Sequence, residues 1–518
     1  MKKYASRFAL VLILQIVAFK ILVAQTFTSS NLPIVVINTN GQTITDEPGI
    51  VTDLGIIHNV IGVRNYLTDP FNHYTGKAKV EYRGCSSQNF PKKSLGIELR
   101  NVNFPLLDSA VALFGFPAES DWVLNASYTD KTFLRDALTY RLSNQMGQYA
   151  SRTKHVEVVI NGQYMGLYVF QEKIKRDAGR IVVSKLEPTD VTTAKITGGY
   201  IVKIDKWCGN QSAHTWQSSY PSAGSTNPHY FIADYPNDDN ITTAQFNYIK
   251  TYVNTFETVM TGTGFANATT GYPKYIKDST FIDYFLLQEI SSNNDAWRFS
   301  TYMHKERDSK GGKLRMGAPW DFNLAWGFLN NNAGNNYEGW RYQAAGDPSF
   351  AVPFWVGKLL TDCKYALRTV SRFQNLRGGV LQMAPIGQFI DSMTVVLGEA
   401  SNRNFVKWPT MNTMIWTDGA GSYVGGSVTT EVNYLKTWIS NRLVWMDANI
   451  AAVATNSQKI MPPNCATGLT DVSVLIKSTC VFAPSTSTNY RAGRAILLQP
   501  GFTANAGSVF KAEIKTCL

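Results

Sequence analysis

Residues 278–328 carry a helical pattern, a polar turn and a hairpin pattern in unbroken order. Phe281, Ile282, Phe285, Leu286 and Ile290 recur at helical spacing, with Asp278 or Ser279 as the cap. The polar run 291–294 ends the helix and delivers Asp295. Residues 299–305 and 313–318 read as strands joined by the charged turn 306–312. The second strand runs into Pro319-Trp320-Asp321-Phe322-Asn323. A hairpin returns the chain to its start, so Asp295 and Asp321 are expected near each other. Either acid alone reads first as the cap of a turn or loop. Together they match what phosphoryl transfer needs, one carboxylate to orient a nucleophile and one to hold Mg²⁺.

The upstream chain supplies cations. A strand over 76–82 leads into Arg83-Gly84-Cys85-Ser86-Ser87, where Gly84 allows close approach and two hydroxyls follow. Lys92 and Lys93 open the alternating run 92–99, and one of them is expected to point inward to phosphate. Lys203, on the strand 199–204, is a rival for that role. Strands over 156–160 and 164–170 flank Asn161-Gly162, a strong hairpin signal, and Glu172 stands at its end. There it is a candidate acceptor for an adenine amine or a ribose hydroxyl.

Further strands are expected over 32–38 and 121–125. A helix starting at 128–130, with Asp130 as cap, carries Phe133, Leu134, Ala137, Leu138, Leu142 and Met146, and Gly147 stops it. Residues 207–240 lack a pattern and read as an irregular insertion, whereas 242–261, 354–376, 386–397 and 432–452 read as helices. Pro462-Pro463 mark a boundary before a small all-β module, 461–518, resembling short turns of a solenoid or a sandwich edge without a repeat array.

At 518 residues and 44% hydrophobic content the chain can bury two or three cores. A net charge of +11 admits acidic partners such as nucleotides, but no run of five or six basic residues argues for nucleic acid. Lys2, Lys3 and Arg7 precede an apolar run, 8–19, and a small-residue site near Ala24, so residues 1–25 read as an export signal. Lys20 cuts that run short of the ~20 residues a membrane span needs. The expected product has no membrane span after signal cleavage and is secreted or at the cell surface. The six cysteines form no CxxC pair, which argues against zinc and for a few disulfides, with two of Cys465, Cys480 and Cys517 expected to pair. No GxxxxGK[ST], HExxH or GxSxG motif is present, and the six histidines do not cluster in sequence.

Four blocks carry a family resemblance: YRGCSSQNFPKKSLGIELR at 82–100, LNASYTDKTFLRDALTYRLSNQMG at 124–147, VVINGQYMGLYVFQEKI at 158–174, and the 278–328 stretch with Asn294-Asp295 and Pro319-Trp320-Asp321. The chain resembles the CotH (spore coat protein H) kinase family over roughly residues 30–450. The resemblance implies an α+β, two-lobed atypical protein-kinase-like domain over 26–460. It implies transfer of the ATP γ-phosphate, with Mg²⁺ or Mn²⁺, to Ser or Thr of a secreted or surface protein. Asp295 then looks like the catalytic acid and Asp321 like the metal-binding acid, with Asn323 and Ser300 beside it. The family often has a second acid where Asn323 stands and Asn where Ser300 stands. Arg83 and Lys93 or Lys92 look like phosphate contacts, Asp130 and Arg135 lie on the small-lobe helix, and Glu172 is at the lobe junction. The 461–518 module is similar to β modules ending secreted proteins of gliding-type Gram-negative bacteria, which implies sorting or surface attachment. Two other readings fit the same groups: a surface or adhesion protein without turnover, and nucleotidyl transfer.

Overall fold

The computed structural model describes residues 27–206, 212–222, 228–328, 335–343, 352–413, 415, 424–453, 458–461, 468–472, 475–492 and 495–514. The export signal, Cys208, Cys465, Cys517 and the Pro462-Pro463 boundary lie outside them. Among the described residues the fold is mixed, with seven α-helices and several sheets.

Seven strands close a barrel: β1 (Ile34–Asn38), β2 (Ile50–Ile57), β3 (Tyr74–Arg83), β4 (Ser94–Arg100), β5 (Asp121–Asn125), β6 (Thr153–Ile160) and β7 (Gln163–Glu172). Neighbours run antiparallel except β1 and β6, whose parallel pairing, Ile34 opposite Glu157, closes the ring. Alternation explains the interior. Leu54 and Ile56, Ala78 and Val80, Leu95, Ile97 and Leu99, and Tyr168 and Phe170 all point in. Asn161 (φ 49°) and Gly162 (φ 76°) make the two-residue turn between β6 and β7.

A helix, α1 (Arg135–Gln145), follows β5. It begins later than its pattern suggests because Ser127 and Phe133 adopt positive φ. Its N-cap is Leu134 and not Asp130, which instead braces the preceding turn by accepting the Thr132 and Arg135 N–H groups at 3.0 and 2.9 Å.

A second, antiparallel sheet is built from β8 (Tyr200–Ile204), β9 (Thr215–Gln217), β10 (Tyr230–Tyr235), β11 (Thr301–Lys305) and β12 (Leu314–Met316), in the order β9-β10-β8-β11-β12. The stretch expected to be an irregular insertion therefore supplies two strands. Their aromatic side chains, Trp216 and Phe231, are buried in the larger core.

That core surrounds α3 (Asp278–Ser291), between α2 (Thr243–Thr261) and the helices α4 (Phe354–Leu359), α5 (Cys363–Arg377), α6 (Met383–Lys407) and α7 (Val428–Asn449). Every residue of α3 from Thr280 to Ser291 is buried, so it is a central helix and not a one-sided one. Its N-cap is Lys277, without a side-chain cap bond, while Asp278 pairs with Arg368 at 2.8 Å. The single helix expected over 354–376 breaks before α5, where Asp362 caps the Lys364 N–H at 3.1 Å. No helix among the described residues is long and apolar enough to cross a membrane.

The C-terminal residues stack in parallel. Gln458–Met461, Leu475–Ser478 and Ala495–Leu498 form one ladder, and Gly468–Val472, Ser487–Ala492 and Val509–Ile514 another. These are successive solenoid rungs around Ile476, Phe482 and Tyr490, a repeat hidden by unequal rung lengths. Cys85, Cys363 and Cys480 are each disulfide-bonded.

Candidate active site

The β3, β4 and β5 ends of the barrel, the α1 loop, β8 and the 294–324 segment wall a cleft of about 770 Å³. The ladder between β8 and β11 sets its acids. Ile204 stands opposite Thr301, so the next residues, Asp205 and Ser300, meet at the cleft, where the Ser300 N–H bonds the Asp205 carboxylate. Asp295 leaves the end of α3, its N–H donating to Asn293 Oδ1 at 3.2 Å. Arg298 Nη2 donates to Asp295 Oδ1 at 2.8 Å. After β12 the chain enters the cleft again and Asp321 adopts φ 65°.

Asp321 is exposed to the cleft, where the surrounding walls thin its hydration and leave its carboxylate accessible. Its carboxyl is pushed up to about 6, first by loss of hydration, then by the charges of Asp295 and Asp205. Lys206 and Arg83 pull it the other way. Burial also raises Asp205. Behind Asp321, the fully enclosed Asp136 is raised to about 7, first by burial and then by the Asp321 charge.

The cations are arranged around these acids. Arg83 lies over the Trp320 ring at 5.3 Å. Lys203 pairs with Asp234 at 2.9 Å, and that charge holds it firmly protonated. Lys206 reaches Ser86 Oγ at 3.4 Å and lies 5.1 Å from the Phe299 ring.

Of the residues expected from the sequence, Arg83, Asp295, Ser300, Asp321 and Asn323 share this cleft. Lys92 borders it, but its ammonium is spent inside the protein. It donates to Ala126 O and Asn404 Oδ1 at 2.7 and 2.9 Å and also to Leu167 O, and burial pushes it well below the usual lysine range. Lys93 donates to the Gln88 carbonyl. Glu172 is buried among Arg152 (2.7 Å), Arg180 (3.7 Å) and the Tyr149 hydroxyl (3.2 Å), and its neighbour Gln171 faces the cleft instead. A strand turns adjacent side chains to opposite faces, so one position separates the two fates. Asp205, Lys206 and Arg298 were not singled out in the sequence. Asp205 follows Lys203 by two positions, and strand periodicity carries the signal that both face one way.

Asp295 and Asp205 act on Asp321 electrostatically, Ser300 and Asn323 line the same cleft, and oxygen donors of this kind suit a hard cation. Among the described residues no group of three or more His, Cys, Asp or Glu is placed to hold a metal by itself. A Mg²⁺ ion held by one or two carboxylates plus nucleotide phosphates does not need one. Asp321 and Asn323 are the residues here that fit it. Asn323 donates its Nδ2 to Thr129 Oγ1 at 3.0 Å, which leaves its carbonyl oxygen as the ligating atom.

The family model described as CotH kinase protein matches residues 80–446, more than half of the 518 residues. No curated protein matches the chain. Family membership implies ATP and a divalent metal in general terms. The match contains the barrel strands β4 to β7, all seven helices but the last few residues of α7, and Asp295 and Asp321, and this chain belongs to the CotH kinase protein family.

Proposed function

We propose that this chain is an exported atypical protein kinase that transfers the γ-phosphoryl group of ATP to a Ser or Thr hydroxyl of a secreted or surface protein. In this reading the barrel and the helical part are the two lobes, and the solenoid rungs attach the enzyme at the cell surface. The observation that carries it is one cleft lined by Asp321, Asp295 and Asp205 together with Arg83, Lys203 and Lys206, with the Asp321 carboxyl raised by lost hydration and by its acidic neighbours. Like charges held together and only partly offset by nearby cations are the electrostatic state that a metal ion relieves.

Asp295 keeps one oxygen on Arg298 and uses the other to orient the acceptor hydroxyl and take its proton. The hydroxyl oxygen bonds to the γ-phosphorus as the bridging bond to the β-phosphate breaks, and ADP leaves. Arg83, Lys203 and Lys206 hold the phosphate oxygens. Asp321 and Asn323 would hold Mg²⁺, which supplies neutralisation of β- and γ-oxygen charge.

A second reading, a surface or adhesion protein without turnover, is favoured by Asn323 and Ser300, which leave the cation with one carboxylate fewer. The test is the full chain with Mg²⁺ or Mn²⁺ and ATP labelled at the γ- or the α-phosphate. Protein label from the γ position supports the kinase. Label from the α position alone replaces it with nucleotidyl transfer, and no label with no ATP-induced thermal shift ends both enzyme readings.

A further inference from the structure

The α1 helix is buried on a face that is polar. Arg135, Asp136, Thr139 and Tyr140 are all buried, and their i, i+4 pairs (135 with 139, 136 with 140) put them on one side. Burying polar groups costs free energy unless each finds a partner. Here each of the four makes a bond to a single six-residue loop. Tyr140 Oη accepts the Asp321 N–H at 3.2 Å, and Asp136 Oδ1 accepts the Phe322 N–H at 2.7 Å. Arg135 Nε donates to Ala325 O at 3.2 Å, and Thr139 Oγ1 accepts Trp326 Nε1–H at 2.8 Å. The loop itself has no helix or strand ladder to set its shape, and φ is 65° at Asp321 and 58° at Trp326. Side-chain-bearing residues persist in that region only where their surroundings over-determine it.

We infer that the polar face of α1 is the template for the 321–326 loop, with Asp136 and Tyr140 as positioning residues that aim the Asp321 carboxylate into the cleft. The inference rests on the reading of Asp321 as a metal-holding residue. Two consecutive N–H groups, taken by side chains one helical turn apart, fix the peptide planes on either side of the Asp321 Cα. With both planes fixed, φ is held positive and the side chain has one exit, toward Asp295 and Asp205. Asn125 completes the device, donating Nδ2 to Asp136 Oδ2 at 3.1 Å, so the carboxylate that receives Phe322 is itself held from the barrel side. The cation site is thereby built on the helix that follows β5, and its geometry depends on groups that never touch the cation.

The test uses the full chain and three variants. Tyr140→Phe removes the acceptor for Asp321 and keeps the ring. Asp136→Leu removes the acceptor for Phe322, and Asp136→Asn keeps an oxygen there. In ligand-free protein, amide exchange of residues 320–326 should quicken about tenfold in Tyr140→Phe and Asp136→Leu, with the rest of the chain unchanged. It should stay near the wild-type rate in Asp136→Asn. The Mn²⁺ concentration that half-saturates the ATP-bound protein, read by electron paramagnetic resonance, should rise about tenfold in the same two variants and be rescued in Asp136→Asn. If Asp136→Leu does not fold, Tyr140→Phe carries both measurements. Wild-type exchange in the loop overturns the template. Faster exchange with unchanged Mn²⁺ half-saturation reduces α1 to a structural support and overturns the positioning role. Wild-type protein that binds no Mn²⁺ with ATP overturns the metal reading of Asp321, while the exchange rates still decide whether α1 shapes the loop.

Discussion

Glu172 and Asp321 are carboxylates placed just where a strand gives out, and their surroundings are opposite in sign. Around Glu172 both oxygens are answered: Arg152 and Arg180 supply charge, and Tyr149 and the Arg152 N–H supply hydrogen bonds. Around Asp321 the charges of Asp295 and Asp205 add to the upward shift, and the two cations that oppose them, Lys206 and Arg83, do not cancel it. The first cluster is electrically closed and can only hold the barrel end together. The second is electrically open and gains by admitting a cation. The contrast separates structural charge from functional charge without reference to where either residue lies in the sequence.

The contrast can be broken by mutation. The largest effect is expected for Asp321→Ala, which should lower metal-dependent phosphoryl transfer by about 10²–10³-fold while leaving the melting temperature of the ligand-free protein unchanged or raised. Radiolabel transfer and a thermal melt measure the two. Glu172→Ala should do the reverse, destabilising the fold by about 3–5 kcal/mol through the arginines left uncompensated, with unchanged ATP affinity in the folded protein. Urea unfolding and calorimetric ATP titration would show whether the two clusters differ as described.

The lysines sharpen the same comparison at a smaller scale. Lys203→Met should weaken ATP binding about tenfold. Lys92→Met should leave it within about twofold, because the Lys92 ammonium is already consumed by two carbonyls and Asn404. Equal losses in the two variants would erase the distinction.

The smallest effect is in pH. A cation needs Asp321 ionised, so Mn²⁺ affinity should fall as pH drops through about 6. The linkage to stability has the other sign. A carboxyl raised in the folded state binds its proton more tightly there than in the unfolded chain, so stability falls as pH rises from the ordinary aspartate range to about 6. Bound metal should oppose that slope, and Asp321→Asn should lessen it in ligand-free melts while the raised Asp136 keeps the remainder.

Much of this was legible from local pattern. The acids at either end of the 299–318 hairpin meet because antiparallel pairing returns the chain, and Met303 opposite Met316 is that register. The Asn161-Gly162 turn and the alternating barrel strands were equally plain. What sequence reasoning lacked was the direction of side chains that are polar and buried. Lys92 looks like a surface or phosphate lysine until Asn404, more than 300 positions away, takes its ammonium. The α1 pattern was read from Ala137, Leu138 and Leu142, yet the opposite face, Arg135 to Tyr140, contacts the cleft loop. Periodicity detects apolar stripes. A polar stripe with a buried partner looks in sequence like a solvated one. Asp205 was missed for a related reason, because it becomes meaningful only when β8 pairs with β11.

The most direct test is anomalous diffraction from crystals holding Mn²⁺ and a non-hydrolysable ATP analogue. The account predicts a manganese peak against Asp321 and Asn323, with the γ-phosphate turned toward Asp295. A manganese–nucleotide complex bound elsewhere on the chain, with Asp321 still facing an empty cleft, would contradict it.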